Sequence, residues 1–249
     1  MLLQVKGLSK AFGGLQAVDR LDFFVHEGEI LGLIGPNGAG KTTVFNLISG
    51  YLKPDEGEVS FQGRNITGFP PHKIVELGIS RTFQSNPLFE FFTVFQNVYA
   101  GFYLHPRSGF WEALVNSRSY REAEKSKRRT AWEILEFLGL RDMADVLAKD
   151  LPVGYRAMVA IGRAVATKPK LLLLDEPTAG MAPNEVILIK DLLFRLRSQG
   201  VTLMIVEHNM DMLDVCDRVM VMNFGRKIAE GSVQEIRNNK DVIEAYLGS

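Results

Sequence analysis

Cysteine is nearly missing from this chain of 249 residues. Cys216 is the only one, so no disulfide can close within the chain, and the composition suits a reducing compartment. An excess of charge is missing too. Lys and Arg number 29 and Asp and Glu 29, a formal net charge of +0, which leaves no global field to recruit nucleic acid or an anionic membrane. Long apolar runs are lacking. A stretch such as Leu171 to Leu174 falls far short of the ~18 residues of a membrane-crossing helix, and the opening residues 1–6 are too short and too polar an apolar segment for a secretion signal. There is no internal repeat and no low-complexity tract. These absences lead us to expect a cytosolic chain that does not cross a membrane by itself. Its length allows one large domain, or one domain carrying an inserted subdomain.

What is present is a phosphate loop. Gly35, Pro36, Asn37, Gly38, Ala39, Gly40, Lys41, Thr42 and Thr43 follow an apolar run over 29–34 and precede a helical pattern over 44–49. They fit G-x-x-x-x-G-K-[ST], with Gly35, Gly40, Lys41 and Thr42 at the fixed positions. Glycines let backbone N–H groups curl around a phosphate, and the helix that follows points its positive end at the anion. Lys41 is expected to reach the β- and γ-phosphates, and the Thr42 hydroxyl to hold Mg²⁺.

Strands are expected over 3–5 and 21–25, with a Gly13-Gly14 turn between them, and over 58–61. From about 86 to 160 the character changes to a helical insertion, with dense charge over 118–129 and Trp132, Leu135, Phe137 and Leu138 at helical spacing. A strand over 170–175, a helix over 184–197 and strands over 201–206 and 219–223 complete the pattern. Such alternation implies an α/β fold with a parallel sheet that binds ligands at the carboxyl ends of its strands. Lys41, Asp175 and His208 all fall there. In Leu171-Leu-Leu-Leu-Asp-Glu-Pro177, Asp175 is suited to holding Mg²⁺ through its water shell and Glu176 to polarising an attacking water. A solvated Asp-Glu turn would look alike in isolation, but here it lies downstream of a phosphate loop.

Taken in order, the phosphate loop, Gln84, an altered signature at residues 151–154, Asp175-Glu176-Pro177 and His208 resemble the ATP-binding-cassette (ABC) ATPases over nearly the whole chain. Residues 78–84, 135–140, 216–220 and 242–248 look closer still to the branched-chain amino-acid importer ATPases. The resemblance implies a P-loop NTPase fold of the ABC-ATPase type over 1–249, with a RecA-like core, an antiparallel β subdomain and the helical subdomain inserted. It implies ATP and Mg²⁺ as cofactors. Phe12 matches the aromatic that stacks on adenine, the alternative being a core Phe of the strand. Gln84 matches the glutamine near Mg²⁺ and the attacking water, and His208 the residue that contacts the γ-phosphate and positions water and Glu176.

Two segments depart from the family pattern. The signature Leu-Ser-Gly-Gly-Gln is replaced by Leu151-Pro-Val-Gly-Tyr155, and Pro152 brings neither a hydroxyl nor a backbone N–H. Ala182 stands where the family usually has Asp. The chain is either a weak homodimeric ATPase or one that pairs with a different ATPase subunit; we favour the second. The resemblance further implies transmembrane permease subunits, indirectly a solute-binding protein, no nucleic acid, and a peripheral position on the cytoplasmic face of the inner membrane. The aromatic run of residues 88–95 lies near the family's groove for the membrane subunit, but most of its rings are expected to be core. The basic run 125–129 is expected to be a solvated helix face. A soluble cassette acting on ribosomes or DNA is the alternative, and a GTPase is disfavoured because Asn239-Lys240-Asp241 lacks the spacer of a guanine reader.

Overall fold

The computed structural model describes residues 1–82, 88–104, 118–208 and 210–247; Gln84 lies outside them. The chain divides into two compact units, Met1–Gln84 with Lys170–Ser249, and Ser85–Pro169.

The first unit holds two sheets. Strands β1 (Leu3–Phe12), β2 (Leu15–Val25), β4 (Glu56–Phe61) and β5 (Arg64–Asn65) form an antiparallel sheet in the order β2-β1-β4-β5. Phe12 pairs with Leu15 across the two-residue Gly13-Gly14 loop, a connection whose twist suits a hairpin. From Leu21 to Val25, burial alternates residue by residue, as expected where one face meets the core and the other meets water. Both strands run longer than the short apolar segments 3–5 and 21–25 suggested, because polar residues continue the ladder toward the hairpin tip.

The second sheet has the order β10-β9-β3-β8-β7-β6. Strands β3 (Ile30–Ile34), β6 (Ile79–Thr82), β7 (Leu171–Asp175), β8 (Thr202–Val206) and β9 (Arg218–Asn223) run parallel, and β10 (Arg226–Gly231) is an antiparallel edge. Every residue of β3, β7 and β8 is buried, the signature of parallel strands covered on both faces. Helix α1 (Lys41–Ile48) buries Val44, Phe45, Leu47 and Ile48 in a core shared with Leu3, Val59, Leu173 and Met220. Helix α2 (Pro71–Glu76) precedes β6.

The second unit is helical: α3 (Val94–Ala100), α4 (Arg118–Leu138) and α5 (Val153–Val165). A reciprocal cap starts α3, where Gln96 N–H donates to Thr93 Oγ1 at 3.2 Å and Thr93 N–H to Gln96 Oε1 at 2.8 Å. Helix α4 buries Ala131, Ile134, Leu135 and Leu138. Its charged first half is largely exposed and pairs within itself, as in Arg118–Glu122 and Lys127–Glu124. At Gly162 in α5, a Cβ would come within 2.5 Å of Leu138 Cδ1, so α4 and α5 pack closely enough there that Leu138 would have to move to admit even a methyl group.

The aromatic run corrects an expectation. Leu88 and Val94 are buried, but Phe89, Phe91 and Phe92 are 51%, 77% and 45% exposed. The cause is Asn97, which is fully buried. Its side chain accepts from Phe89 N–H at 2.9 Å and donates to the carbonyls of Phe89, Phe92 and Thr93 at 3.1, 3.3 and 3.1 Å. This polar hub satisfies the loop backbone from inside and leaves the rings facing out.

Back in the first unit, α6 (Pro183–Ser198) follows β7, while α7 (Val233–Arg237) and α8 (Lys240–Leu247) end the described chain. Among the described residues, no helix is long and apolar enough to cross a membrane.

Candidate active site

The phosphate loop joins β3 to α1. At Gly35 a Cβ would lie 2.0 Å from the carbonyl oxygen of Met222, and at Gly40, where φ is +101°, it would lie 2.2 Å from that of Ala17. Only glycine fits either place, so the loop conformation is dictated by the neighbouring β9 and β2. Ala39 N–H closes the turn onto Pro36 O at 3.2 Å, and Val44 N–H to Gly40 O at 3.0 Å starts the helix. Gly40 caps α1 without a side-chain acceptor, which leaves first-turn N–H groups to meet an anion. Pro36 and Ala39 are buried, Asn37, Gly38 and Thr42 are exposed, and Thr43 is half-buried.

Lys41 is only 5% exposed. Its ammonium donates to Gly35 O at 2.7 Å and Pro36 O at 2.9 Å. Burial holds its pKa below the usual lysine value, while Glu176 and Asp175 act in the opposite direction. A desolvated cation facing two carboxylates marks the place where negative charge is managed.

Asp175 closes β7 and is 2% exposed. Its Oδ2 accepts from Arg81 at 2.7 Å, whereas Oδ1 is buried with no hydrogen-bond partner among the described residues. A buried carboxylate oxygen without a donor is costly, and a cation's water ligand would supply one. Asp175 therefore suits a hydrated Mg²⁺, and Thr42 adds a hydroxyl at the start of α1. Among the described residues, no group of three or more His, Cys, Asp or Glu side chains gathers as a metal cage.

Glu176 follows with φ +48°, a left-handed backbone uncommon for a non-glycine residue. Its N–H donates to Val206 O at 2.9 Å, which ties the turn to β8. His208, just past β8, brings Nε2 to 2.9 Å from Glu176 Oε1. Phe12 is 45% exposed, which removes the alternative that it is a core residue. Lys10 Nζ stands 5.6 Å from its ring centroid.

Three residues that the sequence did not single out also belong here. Arg81 meets Asp175. Glu207 is 4% exposed and joins the two strand ends: Oε1 accepts from Thr178 N–H at 3.1 Å and Thr178 Oγ1 at 2.7 Å, and Oε2 from His208 N–H at 3.2 Å. Tyr246 in α8 has its phenol pKa raised by burial, against a hydrogen bond from the backbone of Gly35. Only Ile79 is apolar in Ile79-Ser-Arg-Thr82, so no hydrophobic pattern marks Arg81.

The departures from the family pattern have plain geometry. Pro152 is the N-cap of α5 and makes no side-chain cap bond. Ala182 is the N-cap of α6, and its N–H donates to Glu185 at 3.0 Å.

Comparison with known proteins agrees with this geometry. A family model described as ABC transporter matches residues 18–179. A second, described as branched-chain amino acid ATP-binding cassette transporter, matches residues 226–249. The chain is 39% identical over 249 residues to the high-affinity branched-chain amino acid transport ATP-binding protein BraF of Pseudomonas aeruginosa, covering 99% of this chain and 98% of that protein. It is likewise 39% identical to LivG, of the same description, from Escherichia coli, with the same coverage. Among solved structures, a nucleotide-free ATP-binding cassette from an ABC transporter superposes with a TM-score of 0.87 at 36% identity, covering 100% of this chain and 99% of that one. An ABC cassette in its ADP conformation matches equally well, with a TM-score of 0.87.

Proposed function

The chain belongs to the ABC transporter family of ATP-binding cassettes, and from that premise we propose that it drives import of branched-chain or related amino acids through a membrane complex. It is an α/β cassette that binds and hydrolyses ATP, and its partners are transmembrane permease subunits. The names of its relatives point to an importer rather than to ribosomes or DNA.

The observation that carries the reading is the convergence of Lys41, Asp175, Glu176 and His208 at neighbouring strand ends. Phosphoryl transfer needs little covalent help, so rate comes from in-line placement of water and neutralisation of charge. Lys41 and the first-turn amides of α1 neutralise the phosphates. Glu176 takes a proton from water, and His208, bonded to it, holds the carboxylate in line. Gln84 is assigned to the same water and to the metal. Phe12 offers an exposed ring for the base to stack on. Thr42, Asp175 and Gln84 would hold Mg²⁺, which when bound would supply positive charge to offset that of the phosphates.

The complex is proposed to use a second, different ATPase subunit. Pro152 and Ala182 lack the groups a partner's site would need, whereas the chain's own phosphate loop is intact. The assembly would sit on the cytoplasmic face of the membrane and receive its solute from a binding protein. Co-purifying this chain with its permeases and a second ATPase into liposomes tests this. ATP-driven uptake of leucine, with turnover well above that of either ATPase alone, is the expected result. Turnover that the second ATPase leaves unchanged would overturn the heteromeric reading, and transport without leucine uptake would overturn the solute assignment.

A further inference from the structure

We propose that Arg81 is a positioning residue that sets the spacing between the two groups assigned to Mg²⁺, Asp175 and Thr42. The inference rests on the reading of Asp175 given above. The register of β6 on β7 pairs Arg81 with Leu173. Asp175, two residues on, therefore projects to the same face of the sheet.

There the Arg81 and Asp175 side chains are 5% and 2% exposed and meet at 2.7 Å. The guanidinium also crosses to α1. Its NH1 donates to Asn46 Oδ1 at 2.7 Å and Ser49 Oγ at 3.2 Å, and the group stands 5.5 Å from the Phe45 ring centroid. Ser49 is itself anchored, donating to Phe45 O at 2.5 Å. One rigid, planar cation thus bolts the end of β7 to the helix that begins with Lys41 and Thr42.

Stability alone is a weak reason to bury such a pair, since packed apolar residues often do as well. What the pair accomplishes is orientation. Arg81 occupies Oδ2 and leaves Oδ1 as the buried acceptor without a partner among the described residues. Carboxylates that serve a metal are commonly held by such outer partners.

The test is Arg81→Met, similar in length and uncharged, read by fluorescent-nucleotide titration with EDTA and then across Mg²⁺ concentrations. Nucleotide affinity in EDTA should match the parent. The Mg²⁺ concentration that gives half of the magnesium-dependent gain in affinity should rise about 10-fold. Arg81→Lys keeps the charge but cannot span Asp175 and Asn46 together; a rise of roughly 3-fold is expected, and this variant decides the matter if Arg81→Met does not fold. A Mg²⁺ requirement that stays put or falls would overturn the inference, because a falling one means that Arg81 acts only as a competing charge. Asp175→Asn separates the two claims. If its Mg²⁺ requirement rises while that of the Arg81 variants does not, only the Arg81 inference fails; if Asp175→Asn shows no rise, the assignment of Asp175 fails.

Discussion

His208 Nε2 stands 2.9 Å from Glu176 Oε1, with the two residues carried on the ends of adjacent strands β8 and β7. Glu207 fixes this meeting by holding Thr178 and the His208 backbone at once. His208→Ala removes the hold on the carboxylate and leaves the phosphate loop untouched. Steady-state turnover should fall by about 10²-fold, with ATP affinity by equilibrium titration near the parent value. A variant that keeps its turnover would take His208 out of the site.

Phe12 should contribute affinity with little selectivity, because every base presents a π-face. Phe12→Ala is expected to cost about 1–2 kcal/mol, near tenfold in Kd, for ATP and GTP alike. Thermal stability should hardly change, since the ring is 45% exposed. A large loss of stability would return Phe12 to the core.

Cys216 should be inert while the chain is folded. Burial, with help from Asp217, Glu207 and Asp214, pushes its thiol up to about 12. An unfolded thiol ionises near pH ~8.5, so it releases its proton first as pH rises. The stability that the neutral thiol contributes is thus complete below that value and declines as pH rises toward the folded pKa. Maleimide labelling at pH 8.5 should be slow in buffer and fast in urea. Equal rates would contradict the burial argument.

The exposed rings of Phe89, Phe91 and Phe92 should face the permeases. Phe91 is 77% exposed, with Lys149 Nζ 5.4 Å from its ring centroid. Phe91→Glu should leave the basal ATPase rate intact and reduce co-purification with the permeases. Undiminished assembly would place the docking surface elsewhere.

Much of the site was legible because phosphate chemistry constrains residue type and spacing together. The loop from Gly35 to Thr43 is read from its glycine and lysine spacing between a strand and a helix, and the pair Asp175-Glu176 from its place at a strand end, whereas the role of His208 comes from the family resemblance. Arg81, Glu207 and Tyr246 could not be read, because their partners lie far along the chain and only register brings them together. Phe89, Phe91 and Phe92 were misread for a related reason: hydrophobicity favoured the core, and the deciding residue was polar. Asn97 looks ordinary in sequence, yet it occupies the interior that those rings were expected to fill. The early strands were read too short because β1 and β2 extend through residues whose burial is only partial.

The central claim is that this chain hydrolyses ATP with Glu176 as the base. Glu176→Gln keeps the size and the hydrogen-bonding reach toward His208 but removes the basic oxygen. Measured side by side on the assembled complex, ATP binding should persist and turnover should fall by roughly 10²–10⁴-fold. Turnover that continues at the parent rate would contradict the account.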